Sequence, residues 1–218
     1  MPKHHLSDEL LMDYAAGACS EPVSLLVATH LALCPDCRAR ASGFEAVGGA
    51  LLDDLPETAV AAGSLDALMA RLDEPEAPIQ AKVPAPTGDP ARMLPQPLRD
   101  YVGGDLSTLN WRRATRGVER ADIAIPGDDG YAAQVLRIRP GCAVPQHSHR
   151  GDEYVMVLTG GYTDESGDFE RGDVQIADPD VEHKPVAMEG EDCICLAVMD
   201  APVRLTGPIG RLFNPFVR

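Results

Sequence analysis

Residues 141–160 read GCAVPQHSHRGDEYVMVLTG. His147 and His149 are two positions apart, so on a strand both side chains point to one face, and Glu153 shares their parity. The run Glu153–Leu158 is apolar after its first residue and is closed by Gly160. Similar short runs, Ala132–Ile138, Val174–Ala177 and Cys193–Met199, are separated by Gly, Asp and Pro. That texture predicts antiparallel β structure, a sandwich or barrel, for the second half of the chain. In a small barrel the shared face is the interior, where imidazoles and a carboxylate can hold a hard or borderline cation.

Upstream of this region lie seven prolines, at 75, 78, 84, 86, 90, 95 and 97, with few large apolar residues among them. The composition predicts an extended, semi-rigid linker over 75–98, separating a unit at 1–74 from a second, independent one at 99–218. The first unit carries helical punctuation. Ser7 is placed to cap a helix with Asp8 and Glu9 in its first turn, and Gly17 closes it. Pro22 opens a second helix, in which Leu25, Leu26, Thr29 and Leu33 share one face, and Pro35 ends it. A third helix is expected from Asp36 towards Leu52, and Ser64 can cap a fourth containing Leu65, Leu68, Met69 and Leu72.

The segment HLALCPDC, residues 30–37, holds His30, Cys34 and Cys37 in an H-x3-C-x2-C arrangement. His30 and Cys34 are four residues apart and share a helical face, and the Cys-Pro-Asp-Cys turn returns Cys37 to the same point. Zinc takes four nitrogen or sulfur ligands in a tetrahedron, so one more is required, and His4 or His5 can supply it. Two thiolates and two imidazoles make a closed, nearly neutral site of structural type. A redox pair of the thioredoxin kind fits less well, because that motif opens a helix after a strand.

Two resemblances follow from these residues. Gly141, His147, His149, Glu153 and Gly160 spell G-x5-H-x-H-x3-E-x6-G, which resembles the first cupin motif throughout. The second cupin motif is less complete: Gly167, Gly172 and His183 are placed as expected, but Glu170 stands where proline is usual and Ala187 where asparagine is common. The resemblance implies a jelly-roll β-barrel with His183 as a fourth ligand beside His147, His149 and Glu153. Zinc, manganese, iron or nickel would suit that set, with zinc favoured. At the other end, HHLSDELLMDYAAGACSE (4–21) and VATHLALCPDCRARA (27–41) resemble the zinc-binding anti-sigma domain of the ChrR type. That resemblance implies His5, His30, Cys34 and Cys37 as zinc ligands, His5 being favoured over His4 by its spacing to Ser-Asp-x-Leu-Leu. It also implies a group IV (extracytoplasmic-function, ECF) sigma factor as the partner, held away from RNA polymerase.

The expected fold class is therefore α + β in two domains, a small zinc-binding helical bundle followed by a cupin barrel. The formal net charge of −15 argues against direct binding to nucleic acid, which needs a basic stripe, and fits a basic protein partner. The longest apolar stretch, Val23–Cys34, is too short to cross a bilayer, and the N-terminus has no signal-peptide pattern, so a cytoplasmic protein is expected. The six cysteines are read as ligands or thiols and not as a disulfide framework. Cys193 and Cys195, two apart on a strand, are either core thiols or sites of oxidation, and a bridge between them would be strained.

The functional expectation is a non-enzymatic regulator: the first unit inhibits a sigma factor, with Met12, Leu68 and Met69 as candidates for an uncovered partner face. The barrel converts an oxidative signal, with singlet oxygen the leading candidate, into release. The alternative is a metal-dependent cupin enzyme, a dioxygenase or isomerase, with the helical unit serving assembly. A homodimer through the cupin is compatible with either.

Overall fold

The computed structural model describes residues 1–72, 93–125 and 130–207. Five helices, α1 (Asp8–Ala15), α2 (Glu21–Leu33), α3 (Pro35–Asp53), α4 (Ser64–Leu72) and α5 (Gln96–Val102), precede the strands. Ser7 caps α1, its hydroxyl accepting from the Leu10 amide at 3.2 Å, and Gly17 at φ +69° follows the helix. Pro22 sits in the first turn of α2 and Pro35 in that of α3, where a missing N–H costs nothing. Thr29, buried in α2, satisfies its hydroxyl by donating to the Leu25 carbonyl at 2.6 Å.

The strands are β1 (Arg112–Thr115), β2 (Val118–Ile123), β3 (Ala132–Ile138), β4 (His147–Ser148), β5 (Glu153–Thr159), β6 (Gly161–Asp164), β7 (Gly167–Glu170), β8 (Val174–Ala177), β9 (Glu182–His183), β10 (Val186–Ala187), β11 (Cys193–Met199) and β12 (Arg204–Leu205). A six-stranded antiparallel sheet in the order β1-β2-β3-β11-β5-β8 forms one wall. Two three-stranded sheets, β10-β6-β7 and β12-β4-β9, complete the barrel. Alternation along β11 divides its side chains between two cores. Cys193, Cys195 and Ala197 face inward with Val155, Val157, Tyr162 and Phe169. Ile194, Leu196 and Val198 face outward with Val135, Met156 and Leu158.

That outward face is not solvated. It belongs to the same continuous apolar core as Leu6, Leu11, Leu25, Leu26 and Val27 of the helical half, and α2 lies against β5 and β11. The expectation of two independent units is thereby corrected. Nor do the last residues of the expected linker act as spacer: Leu94 and Leu98 are 1% and 0% exposed, and α5, which packs on α2, already begins at Gln96. Linker positions 75–92 lie outside the described residues. The proline content of a connection says nothing about whether the joined pieces dock. One part of the helical half does stand apart: every residue from Glu45 to Leu72 is exposed.

A shared core should unfold as a unit. Leu26→Ala, at a fully buried position, is expected to cost about 3 kcal/mol. Far-ultraviolet circular dichroism and the fluorescence of Trp111, which packs on that core, should shift to the same lower denaturant midpoint. Two separated transitions would contradict a shared core.

Candidate metal centres

His30 lies in the last turn of α2, and Cys34 and Cys37 bracket the first turn of α3, so one helix junction supplies three of the residues. His5 stands in the extended segment before α1. The ligand atoms of His5, His30, Cys34 and Cys37 lie within 4.8 Å of one another. His5 Nδ1 is 3.3 Å from Cys34 Sγ and 3.5 Å from Cys37 Sγ. His4 turns the other way, its Nε2 3.1 Å from the Asp168 carbonyl and its ring against Phe169.

The cluster fits a cation. His30 Nδ1 donates to the Gly172 carbonyl at 2.8 Å, which leaves Nε2 with its lone pair, buried and without any hydrogen-bond partner. An unpaired buried polar atom costs about 1–3 kcal/mol, and a cation facing Nε2 would remove that penalty. Burial lowers the His30 pKa, more than the Gly172 carbonyl raises it, so the ring stays neutral as a ligand must. Burial also pushes the Cys37 thiol up, aided by Cys34 and opposed by the Leu6 backbone and Arg40. Arg40 spans α3 and α1: it donates to the Leu6 carbonyl at 3.1 Å, holds Asp8 at 2.5 Å and comes to 3.8 Å from Cys37 Sγ.

In the barrel, His147, His149, Glu153 and His183 are all buried, and their ligand atoms also lie within 4.8 Å of one another. His147 pairs with His183 across β4 and β9, while Glu153 opens β5 in the large sheet. Strand parity therefore does not bring Glu153 to the histidines, because a bend at 150–152 separates β4 from β5; the meeting of two sheets does. His183 Nε2 lies 3.1 Å from His147 Nε2 and 3.3 Å from His149 Nε2, and the Glu153 carboxylate is 3.7–4.0 Å from all three rings. His147 Nδ1 donates to the Pro145 carbonyl at 2.7 Å and His183 Nδ1 to Asp164 at 2.8 Å. Outward donation from Nδ1 leaves the Nε2 lone pairs converging, an arrangement that a bound cation relieves. Burial lowers the His149 pKa, outweighing the pull of Glu153. Even against burial, Glu153 raises His147, and the three histidines lower the Glu153 carboxyl.

Beside these residues lies a solvent-open cavity of about 740 Å³. Its wall includes His147, Glu153 and His183, with Ile123, Leu136, Val155 and Met199 giving it an apolar character. Cys193 and Cys195 sit in the inward core with their sulfurs 3.5 Å apart. The contact with Cys193, reinforced by burial, pushes the Cys195 thiol well up, so it carries little thiolate.

Sequence reasoning named all eight clustered side chains but not the groups that orient them. Asp164, at the end of β6, has a fully buried carboxylate. Burial works against its charge, yet hydrogen bonds from Ser166, Gln175 and His183 hold its carboxyl below the usual range. Locally Asp164 only closes a turn with Ser166, and its link to the cluster comes through Gln175 and His183, which arrive from β8 and β9.

A His2Cys2 cluster at a helix junction, docked on a β-barrel with a His3Glu cluster, defines a protein of the zinc-finger-plus-cupin class. Residues 7–38 match a zinc-finger family and residues 100–202 match the ChrR cupin-like domain. Over 216 residues the chain is 47% identical to the anti-sigma-E factor ChrR of Cereibacter sphaeroides, spanning 99% of this chain and 98% of that protein. It also superimposes, at a TM-score of 0.79 and 45% identity, on a chain of the crystal structure of Rhodobacter sphaeroides SigE in complex with the anti-sigma ChrR, covering 92% of this chain and 100% of that one. The chain belongs to the ChrR family of anti-sigma factors.

Asp164→Ala should lower metal retention in the barrel by about 10–100-fold, the usual effect of losing a carboxylate behind a ligating histidine. Metal content per chain, measured after dialysis against graded chelator, checks this. Retention equal to the unaltered chain would remove Asp164 from the site.

Proposed function

We propose that this chain restrains a group IV (ECF) sigma factor through its helical half and releases it when the barrel receives an oxidative signal, singlet oxygen being the leading candidate. His5, His30, Cys34 and Cys37 hold zinc; His147, His149, Glu153 and His183 hold a second ion, with zinc favoured over manganese, iron and nickel. The zinc supplies a structural cross-link between the segment before α1 and the α2–α3 junction. Arg40 places a positive charge beside the Cys37 sulfur and ties the two helices it spans.

The observation that carries this reading is the uncovered apolar surface of residues 45–72. Val47, Leu51, Leu52, Leu55, Leu65, Leu68, Met69 and Leu72 are each at least 54% exposed, a density of free apolar side chains that a lone soluble chain does not ordinarily carry. Leu65, Leu68, Met69 and Leu72 recur at helical spacing, the pattern of a helix laid into a partner's groove. Met12 of α1 adds to the uncovered set at 51%. A formal charge of −15 steers a basic partner and repels nucleic acid. No helix among the described residues is long and apolar enough to cross a membrane, and a sigma-factor partner would place the protein in the cytoplasm. The apolar cavity would admit a small molecule to His147, Glu153 and His183, which gives the barrel a means of receiving a signal.

Co-expression with the neighbouring sigma factor should yield a one-to-one complex that no longer supports transcription, with mass analysis also reporting any dimer through the cupin. Replacing Leu68 and Met69 together by Asp should weaken the complex by about 30-fold or more while leaving the isolated chain folded, as expected for central apolar anchors. Failure of the unaltered chain to bind or inhibit the sigma factor would overturn the reading.

A further inference from the structure

The barrel reaches across the seam to the zinc cluster at two points, both on the turn joining β7 to β8. The first is the Gly172 carbonyl, which accepts from His30 Nδ1 and so sets which ring nitrogen faces the cysteines. Gly172 has φ +91°, a conformation that side chains other than glycine's rarely adopt, and an added Cβ would lie 2.7 Å from Pro2. The second is Asp173, 1% exposed. Its Oδ1 accepts from the backbone amides of Lys3 at 2.5 Å and His4 at 3.0 Å, while Oδ2 accepts from the Glu170 amide at 2.8 Å. The Val174 amide donates to the His4 carbonyl at 3.2 Å, and the His4 ring lies 4.4 Å from that of Phe169. Residues 3 and 4 are thus held as an added edge against the turn, and the next residue is His5. Two of the four residues of the helical cluster are positioned by the other half of the molecule.

We infer that Asp173 and Gly172 of the barrel are positioning residues for the zinc site of the anti-sigma half, so that metal retention there depends on the docked barrel. This rests on the zinc assignment to His5, His30, Cys34 and Cys37. Removing an orienting partner of a ligating histidine lowers metal affinity by about 10–100-fold, and here the partners lie in the other half of the molecule from the ligands. The deeply buried Asp173 carboxylate is otherwise unexplained by the barrel alone: of its three backbone donors, two come from the N-terminal segment.

Cobalt(II) loaded into the full-length chain provides the test, because thiolate-to-cobalt charge-transfer absorption arises from the cysteine-containing cluster and not from His147, His149, Glu153 and His183. The decay of that band is followed after adding excess chelator. Asp173→Ala should shorten its lifetime by about 10–100-fold. Asp173→Asn, which keeps Oδ1 as an acceptor for both amides, should fall between. Lys3→Pro changes no barrel residue but removes one donor to Asp173, together with the exposed Lys3–Glu170 ion pair, and should also shorten the lifetime even if the Asp173 variants fold poorly. A band as long-lived in Lys3→Pro and in folded Asp173→Ala as in the unaltered chain overturns the inference. Absence of the band from the unaltered chain overturns the zinc assignment itself.

Discussion

Helix α2 has no polar face. Of its thirteen residues only Glu21, at its start, is acidic, and Pro22, Val23, Leu25, Leu26, Val27, Thr29 and His30 are buried over more than half of its circumference, leaving one strip through Ser24, Ala28 and Ala32 less covered. So wide an apolar face must be covered from more than one direction. On one side the cover is α1 and α3, on another the outward face of the β5–β11 sheet, with α5 packed alongside. The docking of the two halves follows from this single requirement. So does the place of the helical metal cluster, because His30 belongs to the last turn of the helix that both halves bury.

The legible parts of the molecule were those governed by local chemistry. Ala132–Ile138, Val174–Ala177 and Cys193–Met199 are strands with the very bounds their apolar runs imply, since turn residues punctuate them. His30, Cys34 and Cys37 come together because helical spacing and a short turn leave little alternative. What could not be read depends on contacts distant in sequence. Leu25, Leu26 and Thr29 are buried as their shared face implies, but Val23, Val27 and His30 are buried beside them against the barrel and α5, contacts distant in sequence. Asp164 and Asp173 look like ordinary turn aspartates, and only the fold shows that each supports a histidine-containing cluster.

Those two aspartates also show how economically the clusters are connected. Gln175, on β8, donates to the Asp164 oxygen that His183 Nδ1 contacts, at 2.7 Å and 2.8 Å respectively. Two residues earlier on the same backbone, Asp173 holds the segment that leads to His5. A single short strand thus has the orienting group of one cluster at its start and a hydrogen bond to the other within its span. Both ends are buried and fully hydrogen-bonded, so neither can shift without repacking its neighbours.

The exposed apolar surface of residues 45–72 is linked to this seam mechanically. Helix α3 begins at the cluster, with Cys34 as its cap and Cys37 in its first turn, and its second half carries the exposed Val47, Leu51 and Leu52. Nineteen residues span about 28 Å at the helical rise. The helix packs on the core as far as Ala41 and Phe44, and the residues from Glu45 to Asp53 project about 13 Å beyond, so a tilt of about 10° carries the free end about 2 Å. Arg40, bonded to Asp8 and the Leu6 carbonyl, braces the start of α3 against α1, and His30 braces it against the barrel. A partner seated on residues 45–72, as proposed above, would therefore be reached by loosening the turn where the His5–His30–Cys34–Cys37 cluster, α1 and the barrel meet.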